Sequence, residues 1–231
     1  MTIHQSAFSY KFDFAYFSSL PSTTYIMKIL KIIGLIVLAI IVIAGIWAVT
    51  LSGEAHLERT ATINAPLEKV FSVTNDFGQN KHWNPWMKID PETIYTYSEN
   101  TVGAGAYYSW TSDHDEVGNG RQEILEIMEN EQVKTQMEFD EDMTGLYTAD
   151  FILEPDGEHT KLTWTFDGKA DAIGEKVFLA TMTEAMVGSK YDQGIADLKA
   201  YIEGLPDPEP MMEEEMMGSD STMVEEEAAT E

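Results

Sequence analysis

The sequence predicts an α+β protein in which an antiparallel sheet of about seven strands curves around one long C-terminal helix, behind an N-terminal membrane helix. Three observations carry this prediction. An uncharged apolar run of about twenty residues stands near the N-terminus. Alternating apolar and polar residues then recur in short segments separated by Gly, Asn, Asp and Pro. Residues 171–203 close the pattern with apolar positions at steps of three or four.

Residues 28–51 are predicted to form a single transmembrane helix. The stretch Ile32 to Leu51 carries no charge, and at about 1.5 Å per residue it matches a hydrocarbon core about 30 Å thick. Lys28 and Lys31 precede the run, so the positive-inside bias places the following domain outside the cytoplasm, in the periplasm or at the cell exterior. The competing interpretation is a cleaved signal peptide, although residues 49–55 offer no clear small-x-small cleavage site.

The two ends of the chain are predicted to lie outside the folded domain. Residues 1–26 are rich in Ser, Phe and Tyr, whereas Met27 begins a normal basic-then-apolar leader. The extension is therefore either not translated or a short cytoplasmic segment. Residues 205–231 are acidic and Met-rich without a basic residue, which is typical of a disordered tail. Its thioethers and carboxylates have no His or Cys beside them, so we predict no metal site there.

The elements of the domain, residues 54–204, follow in order. The alternation and β-branched residues of AHLERTATI, residues 55–63, predict a strand, and Pro66 suits the first turn of a following helix. In the strand at residues 132–139, Val133 and Met137 face one way and charged residues the other, so one face of the sheet is dry. Six strands are predicted after the helix, over residues 93–98, 106–111, 120–128, 132–139, 146–154 and 160–166.

The long C-terminal helix is expected to cover this dry face with a single apolar stripe. Gly188 lies on the stripe at a place where a larger residue would fill space, so we expect room for a ligand beneath it. The stripe consists of Phe178, Met182, Ala185, Gly188, Tyr191, Ile195, Leu198 and Ile202.

Composition limits the classes of partner. The chain has 40 acidic and 14 basic residues and a formal charge of −26, so it repels nucleic acid, which is excluded as a partner. The acidity fits either a lineage with acidic proteins throughout or a specific cationic partner, and any protein partner stays open. With no cysteine, disulfides, thiolate metal sites and Cys nucleophiles are excluded. No cofactor is predicted.

Four stretches carry a family resemblance: TATINAPLEKVF, HWNPWMKIDP, TYSENTVGAGAYYSW and YDQGIADLKAYIE. Together with the order of elements, they resemble the helix-grip (SRPBCC) superfamily, which includes START lipid-transfer domains and polyketide cyclase/dehydrase-like proteins. The resemblance spans residues 54–203 and is nearest to membrane-anchored bacterial members. It implies a cavity between the last helix and the sheet that binds lipids, quinones, hormones or polyketide intermediates, and it supplies no shared catalytic motif.

The segment HWNPWM places Trp83 and Trp86 where such a cavity would open. The two rings either plug the open end of the sheet as core residues or line a ligand tunnel. On the second interpretation, the candidate ligand-binding residues are Trp83, Trp86, Tyr95, Tyr97, Tyr108, Trp110, Met137, Trp164, Phe166, Met182 and Met186.

The function predicted from these observations is a membrane-anchored binding or carrier domain for a small hydrophobic ligand that is lipid-like, quinone-like or polyketide-like. One alternative is a cyclase- or dehydratase-like enzyme on the same fold, and another is an envelope interaction module with a closed core. Hydrolase chemistry is disfavoured because no nucleophile elbow is present. The SDHDE segment, residues 112–116, is interpreted as a solvated hairpin tip rather than a metal site. An enzyme would draw its acid or base from His82, Asp90, Asp113, His114 or Arg121.

Overall fold

A computed structural model describes residues 23–140 and 143–206. Most of the predicted N-terminal extension and the predicted tail from residue 207 onward lie outside these ranges. The elements are α1 Thr23–Thr50, β1 Glu54–Ile63, α2 Leu67–Thr74, α3 Asn80–Trp83, β2 Ile94–Tyr97, β3 Tyr107–Thr111, β4 Asn119–Met128, β5 Gln132–Phe139, β6 Leu146–Asp156, β7 His159–Lys169, α4 Ile173–Met182, a π-helical segment Thr183–Gly188, and α5 Ser189–Gly204.

The helix α1 is apolar and exposed, with no buried side chain. It begins at Thr23, so residues 23–26 of the predicted extension are helical. Among the described residues, α1 is the helix whose length and composition suit a membrane crossing, and a signal sequence near an N-terminus has the same properties. The structure therefore provides one apolar N-terminal helix that is either a membrane span or a signal sequence.

The strands form one seven-stranded sheet in the order β1-β7-β6-β5-β4-β3-β2. Every pairing is antiparallel, so β2 to β7 form a meander and β1 closes onto β7 at one edge. A register shift between Ile124 and Glu126 marks a β-bulge in β4, and a bulge bends its strand and increases the local twist. The predicted α+β class, with a seven-stranded antiparallel sheet and a C-terminal helical cover, is confirmed.

One face of the sheet, called the inner face below, carries the core. Residues from neighbouring strands line up across it, as when Leu57 of β1 pairs with Phe166 of β7 and Phe166 pairs with Ala149 of β6. Ile63 and Leu162 are fully buried, and each such side chain stabilises the fold by about 1.5–3 kcal/mol. The helices α2 and α5 pack against the part of this face that β1, β6 and β7 form.

The C-terminal helical region buries a different set of residues from the predicted stripe in its first half. Within α5 the prediction holds, because Tyr191, Ile195, Leu198 and Ile202 are buried. Earlier, Met182 and Ala185 are exposed, and the buried positions are Glu175, Leu179 and Thr183. The cause is the π-helical segment, whose wider turns hold more residues than α-helical turns and so shift the phase of the stripe.

Gly188 does not leave room for a ligand, contrary to the sequence-based expectation. A Cβ atom there would lie 2.8 Å from Glu184 Oε1 and 3.0 Å from Arg59 Nη2. Arg59 rises from β1 beneath the helix and pairs with Glu184 at 2.6 Å and with Asp192 at 2.5 Å. The space beside Gly188 is therefore occupied by a guanidinium group that ties the π-helical segment and α5 to the edge strand.

Candidate functional site

The inner face has two halves, and the half beneath α5 is filled with aromatic rings. Trp164 stacks on Tyr191 with ring centroids 3.9 Å apart, and Trp83 meets Trp164 edge-on at 5.4 Å. Gly194 permits this approach, because a Cβ atom there would lie 2.7 Å from the Trp164 ring. The predicted cavity is therefore closed directly beneath α5. Of the two interpretations of HWNPWM, the structure favours packing for Trp83, which is 2% exposed.

Trp86 lies at the margin of this packed half. It is partly buried and meets the rings of Trp164 and Tyr191 edge-on, with centroids 6.3 and 6.0 Å apart. The indole N–H of Trp83 has no hydrogen-bond partner among the described residues, and an unpaired buried donor costs about 1–3 kcal/mol. The packed half thus contains one polar atom that an acceptor would stabilise.

The other half of the inner face, over β2 to β5, carries an inner aromatic patch, defined as Tyr95, Tyr97, Trp110, Met137 and Phe139. All five side chains are only partly buried although they face the same side as the core. Strand register sets them side by side, since Tyr95 pairs with Trp110. Tyr95 and Tyr97 both pack against the buried ring of Tyr108, which packs against Trp110. The ring centroids of Trp110 and Phe139 are 5.9 Å apart.

Trp110 is held in position by its neighbours in the hairpin of β3 and β4. It lies across Gly120, where a Cβ atom would be only 2.5 Å from the indole ring. Its indole N–H donates to the carbonyl oxygen of Val117 at 3.2 Å. Because this polar atom is already satisfied, Trp110 offers the patch a fixed and purely apolar face.

A chain of hydrogen bonds runs from β3 to β6 on the same face, beside the inner aromatic patch. The hydroxyl of Tyr108 donates to Gln122 Oε1 at 2.7 Å, and Gln122 Nε2 donates to Thr135 Oγ1 at 2.8 Å. The hydroxyl of Thr135 in turn donates to the carbonyl oxygen of Ala149. These buried polar groups are thus paired with one another, as buried polar groups must be to avoid a desolvation penalty.

Burial raises the pKa of the Tyr95, Tyr97 and Tyr108 hydroxyls above the ordinary value for tyrosine. For Tyr108 desolvation is the largest cause, and the shift is large. Tyrosine hydroxyls are protonated at physiological pH even at their ordinary pKa, and burial here strengthens that preference. Tyr95 and Tyr97, on the open half of the inner face, can therefore present neutral O–H groups to a bound molecule.

The end of the inner face next to α4 is closed by a buried carboxylate. Glu175 accepts hydrogen bonds from the backbone N–H of Thr144 at 3.0 Å, from that of Gly145 at 2.8 Å and from the Tyr147 hydroxyl at 2.7 Å. Burial acts to raise the pKa of Glu175, but these hydrogen bonds outweigh it and the pKa lies below the ordinary value. The carboxylate is ionised and structural.

The structure places nine of the eleven predicted ligand-binding residues on or beside the inner face. Met182 and Met186 are instead 40% and 45% exposed. The π-helical segment changes which side of the helical region is buried, and it turns these two side chains outward. Sequence reasoning missed Phe139 of the patch, which its alternation with Glu138 could have indicated. It also missed Gln122, whose role depends on a pairing across strands that no local pattern reveals. The nine are Trp83, Trp86, Tyr95, Tyr97, Tyr108, Trp110, Met137, Trp164 and Phe166.

The candidate acid and base residues do not converge on the patch, although the charge of Asp90 adds to the burial that raises the pKa of Tyr95. Arg121 lies on the outer face, 3.7 Å above the ring of Tyr107, and His82 stacks on Tyr201 of α5. Asp90 accepts a 2.5 Å hydrogen bond from the Ser112 hydroxyl, and this bond is the largest cause of a pKa below its ordinary value. This cluster sits at the tip of the β3–β4 connection, where Asp113 and His114 are exposed. Within the described residues, no group of three or more His, Asp or Glu side chains could hold a metal ion.

A separate hollow of about 600 Å³ lies at the end of the sheet next to α1. His56 and Asp167 meet there with Nδ1 and Oδ1 2.8 Å apart, and this hydrogen bond is the main reason that the pKa of His56 is raised. The hollow is lined by Ser52, Glu54, Ala55, His56, Leu146, Thr148, Asp167, Gly168 and Lys169.

The curved sheet, its helical cover and the half-buried aromatic rings define a helix-grip protein of the START-like superfamily. Residues 54–203 match the family described as polyketide cyclase / dehydrase and lipid transport. The match covers well over half of the 231-residue chain, and the chain belongs to this family. The family description supports a fold that takes hydrophobic ligands.

Solved structures with TM-scores above 0.5 share this fold at low sequence identity. Norcoclaurine synthase from Thalictrum flavum, in complex with dopamine and hydroxybenzaldehyde, is 14% identical with a TM-score of 0.52, covering 67% of this chain and 90% of that one. A truncated form of that enzyme is 12% identical with a TM-score of 0.51, covering 66% and 96%. A protein from Chromobacterium violaceum is 19% identical with a TM-score of 0.45, covering 66% and 98%. No curated protein matches the chain.

Proposed function

We propose that this protein is a membrane-anchored binding or carrier protein for a small hydrophobic molecule that is lipid-like, quinone-like or polyketide-like. The observation that carries the proposal is the inner aromatic patch, whose large apolar side chains are left half-buried on the face that otherwise forms the core. Leaving such a surface open to water forgoes the free energy of burial, and a bound apolar molecule would recover it. In this proposal α1 is the anchor and the domain lies outside the cytoplasm.

The chemistry of the patch favours a ligand with a flat or chain-like apolar body and a hydrogen-bond acceptor. The ring of Trp110 offers a fixed apolar face. Tyr95 and Tyr97 add neutral hydroxyl donors, since a tyrosine with the ordinary pKa of 10.0 is already protonated at physiological pH and burial raises the pKa further. Aromatic walls with a few placed donors are the usual composition of a small-molecule site. A carbonyl oxygen of a quinone, ester or polyketide would suit these donors.

An interaction module with a closed core is the second candidate, and one observation favours it. The half of the inner face beneath α5 is filled by Trp83, Trp164 and Tyr191, with no space for a ligand between them. If the patch were covered by a partner protein instead of a small molecule, the same half-buried rings would form part of that interface.

The test is native mass spectrometry of the full chain, purified in lipid nanodiscs, followed by extraction and identification of bound molecules. We expect about one hydrophobic molecule per chain. Tyr97→Ala should weaken its retention about three- to tenfold, since an aromatic contact contributes about 0.5–1.5 kcal/mol beyond burial. The matched control is Tyr107→Ala, which removes an equally half-buried tyrosine from the outer face.

Retention in wild type and Tyr107→Ala, with loss in Tyr97→Ala, would support the carrier function and place the ligand on the patch. A chain that holds no molecule, and gains none when mixed with ubiquinone or phosphatidylcholine, would instead support the interaction module.

A further inference from the structure

The joint between α1 and the domain is fixed rather than flexible. α1 ends at Thr50 and β1 begins at Glu54, so the linking residues span at most about 10 Å. The backbone carbonyl of Gly53 accepts a 2.9 Å hydrogen bond from the N–H of Ala170. Gly53 has a φ of +73°, and a Cβ atom there would lie 2.2 Å from the Ala170 carbonyl oxygen. Only glycine fits this contact, which ties the segment between α1 and β1 to the segment between β7 and α4.

Three strand ends lie in one row beside this joint. Glu54 of β1 pairs with Lys169 of β7, and Lys169 pairs with Leu146 of β6. Neighbouring strands are about 4.8 Å apart, so Leu146 lies about 10 Å from Glu54. The helix α4 begins close by at Ile173. All of these residues are therefore near the point where α1 leaves the domain.

This end of the domain exposes two large apolar side chains. Leu146 is 51% exposed and Ile173 is 54% exposed. Trp47, near the end of α1, is 48% exposed, and tryptophan is the residue type enriched at the boundary between hydrocarbon and headgroups. Exposing these apolar side chains to water is unfavourable, whereas contact with lipid would be favourable.

Two lysines border the same apolar residues. Lys169 pairs with Glu54 at 2.9 Å, and the stem of Lys176 lies against Gly53, with its Cγ 3.0 Å from where a Cβ atom would be. A lysine can lay its aliphatic stem along an apolar surface while its ammonium group stays among headgroups. The β3–β4 connection at this end of the sheet is acidic, with Asp113, Asp115 and Glu116. The mixture of charges suits zwitterionic rather than anionic lipid.

We propose that the anchor-proximal surface, defined as Leu146, Lys169, Ile173 and Lys176, rests on the outer surface of the bilayer that α1 spans. The partner is a lipid surface, in continuity with the anchor. The inference rests on the proposed role of α1 as a membrane span and goes beyond it, because an anchored domain could equally be held away from the lipid. This surface fixes how the domain is oriented on the membrane. The turn that joins β4 to β5 then lies farthest from the bilayer.

The absence of native cysteine allows a direct test with single-cysteine variants of the full chain. Leu146→Cys and Ile173→Cys report on the anchor-proximal surface. Met128→Cys is the matched control, an exposed apolar residue at the opposite end of the sheet, and Ile41→Cys reports on α1. Each variant is labelled with bimane and reconstituted in phosphatidylcholine vesicles that contain lipid with a nitroxide near the headgroup or deep in the acyl chain. Unchanged thermal unfolding verifies that each variant folds.

We expect the headgroup-level nitroxide to quench the labels at residues 146 and 173 at least twofold more than the label at residue 128. The deep nitroxide should quench the label at residue 41. If the labels at residues 146 and 173 are quenched no more than the label at residue 128, while the label at residue 41 is quenched, α1 spans the bilayer and the surface proposal is wrong. If residue 41 is not quenched either, both the anchor and the surface proposal are wrong.

Discussion

Glu175 is a buried carboxylate that hydrogen bonds keep ionised. It is 7% exposed and accepts bonds from two backbone N–H groups and from the hydroxyls of Thr144 and Tyr147. An isolated buried charge would be strongly destabilising, and several donors are needed to offset its desolvation. The carboxylate thereby connects the first turn of α4 to the start of β6.

Glu175→Gln should therefore lower the free energy of unfolding by about 2 kcal/mol, because an amide turns its NH₂ group toward some of these donors. Chemical denaturation of the full chain in detergent measures this. Glu158→Gln is the control, since Glu158 is exposed in the β6–β7 turn and a surface change of this kind stays within about 0.5 kcal/mol.

The difference between wild type and Glu175→Gln should also depend on pH. The pKa of Glu175 in the folded state is below its ordinary value of 4.5. A lowered carboxyl pKa contributes stability that is fully present above the unfolded pKa and is lost as the pH falls through the folded pKa. The difference should be constant at neutral pH and shrink under acid conditions. A difference that is equally large in strong acid would contradict this role.

At the scale of elements, the contact between α5 and β7 depends on the absence of a side chain. Gly194 faces Trp164 so closely that a Cβ atom would lie 2.7 Å from the indole ring and 3.1 Å from Pro85 Cδ. A glycine in a helix normally costs about 1 kcal/mol relative to alanine. The close approach of α5 to the aromatic layer compensates for this cost.

Gly194→Ala should destabilise the domain by about 1–3 kcal/mol, since overpacking exceeds the gain in helix propensity. Gly174→Ala is the matched control, because nothing lies within 4 Å of a Cβ atom at that helical position, and it should be neutral or stabilising. Thermal unfolding of the two variants distinguishes them. Equal melting temperatures would mean that the aromatic layer yields to the added methyl group.

At the scale of the whole molecule, the proposed anchor role of α1 predicts on which side of the membrane the domain lies. Lys28 and Lys31 precede the uncharged run of α1, and the domain follows it. Basic residues are retained on the cytoplasmic side of a membrane helix. The domain, including β4, should therefore lie in the periplasm or at the cell exterior. The strong negative charge of −26 does not determine this orientation, since acidic residues contribute little to it.

Cysteine labelling in spheroplasts tests this orientation. A membrane-impermeant maleimide should label Leu125→Cys, which is 52% exposed on β4, in intact spheroplasts. It should label Ile29→Cys only after the membrane is permeabilised. The reverse pattern would place the domain in the cytoplasm, and a purified chain whose mass lacks residue 29 would identify α1 as a cleaved signal sequence.

Much of the fold could be read from local pattern. In β5, Val133 and Met137 face the core and polar residues alternate with the core-facing ones. This two-residue period can be seen in the sequence of the strand alone. Most of the candidate site was equally visible, since Tyr95, Tyr97, Trp110 and Met137 fall on the dry face of their own strands. Phe139 was missed although its own strand alternation places it on the dry face, whereas Gln122 was missed because its role depends on partners in neighbouring strands.

The sequence by itself determined the apolar run of α1, the number and order of the strands, and which face of each strand is buried, because these depend on spacings within a segment. Only the tertiary structure decided that β1 pairs with β7, that a π-helical segment turns Met182 and Met186 outward, and that aromatic rings fill the space beneath α5. It also decided that the patch over β2 to β5 stays half-buried. These features arise from contacts between residues far apart in the chain, where packing density and hydrogen-bond pairing outweigh local preference.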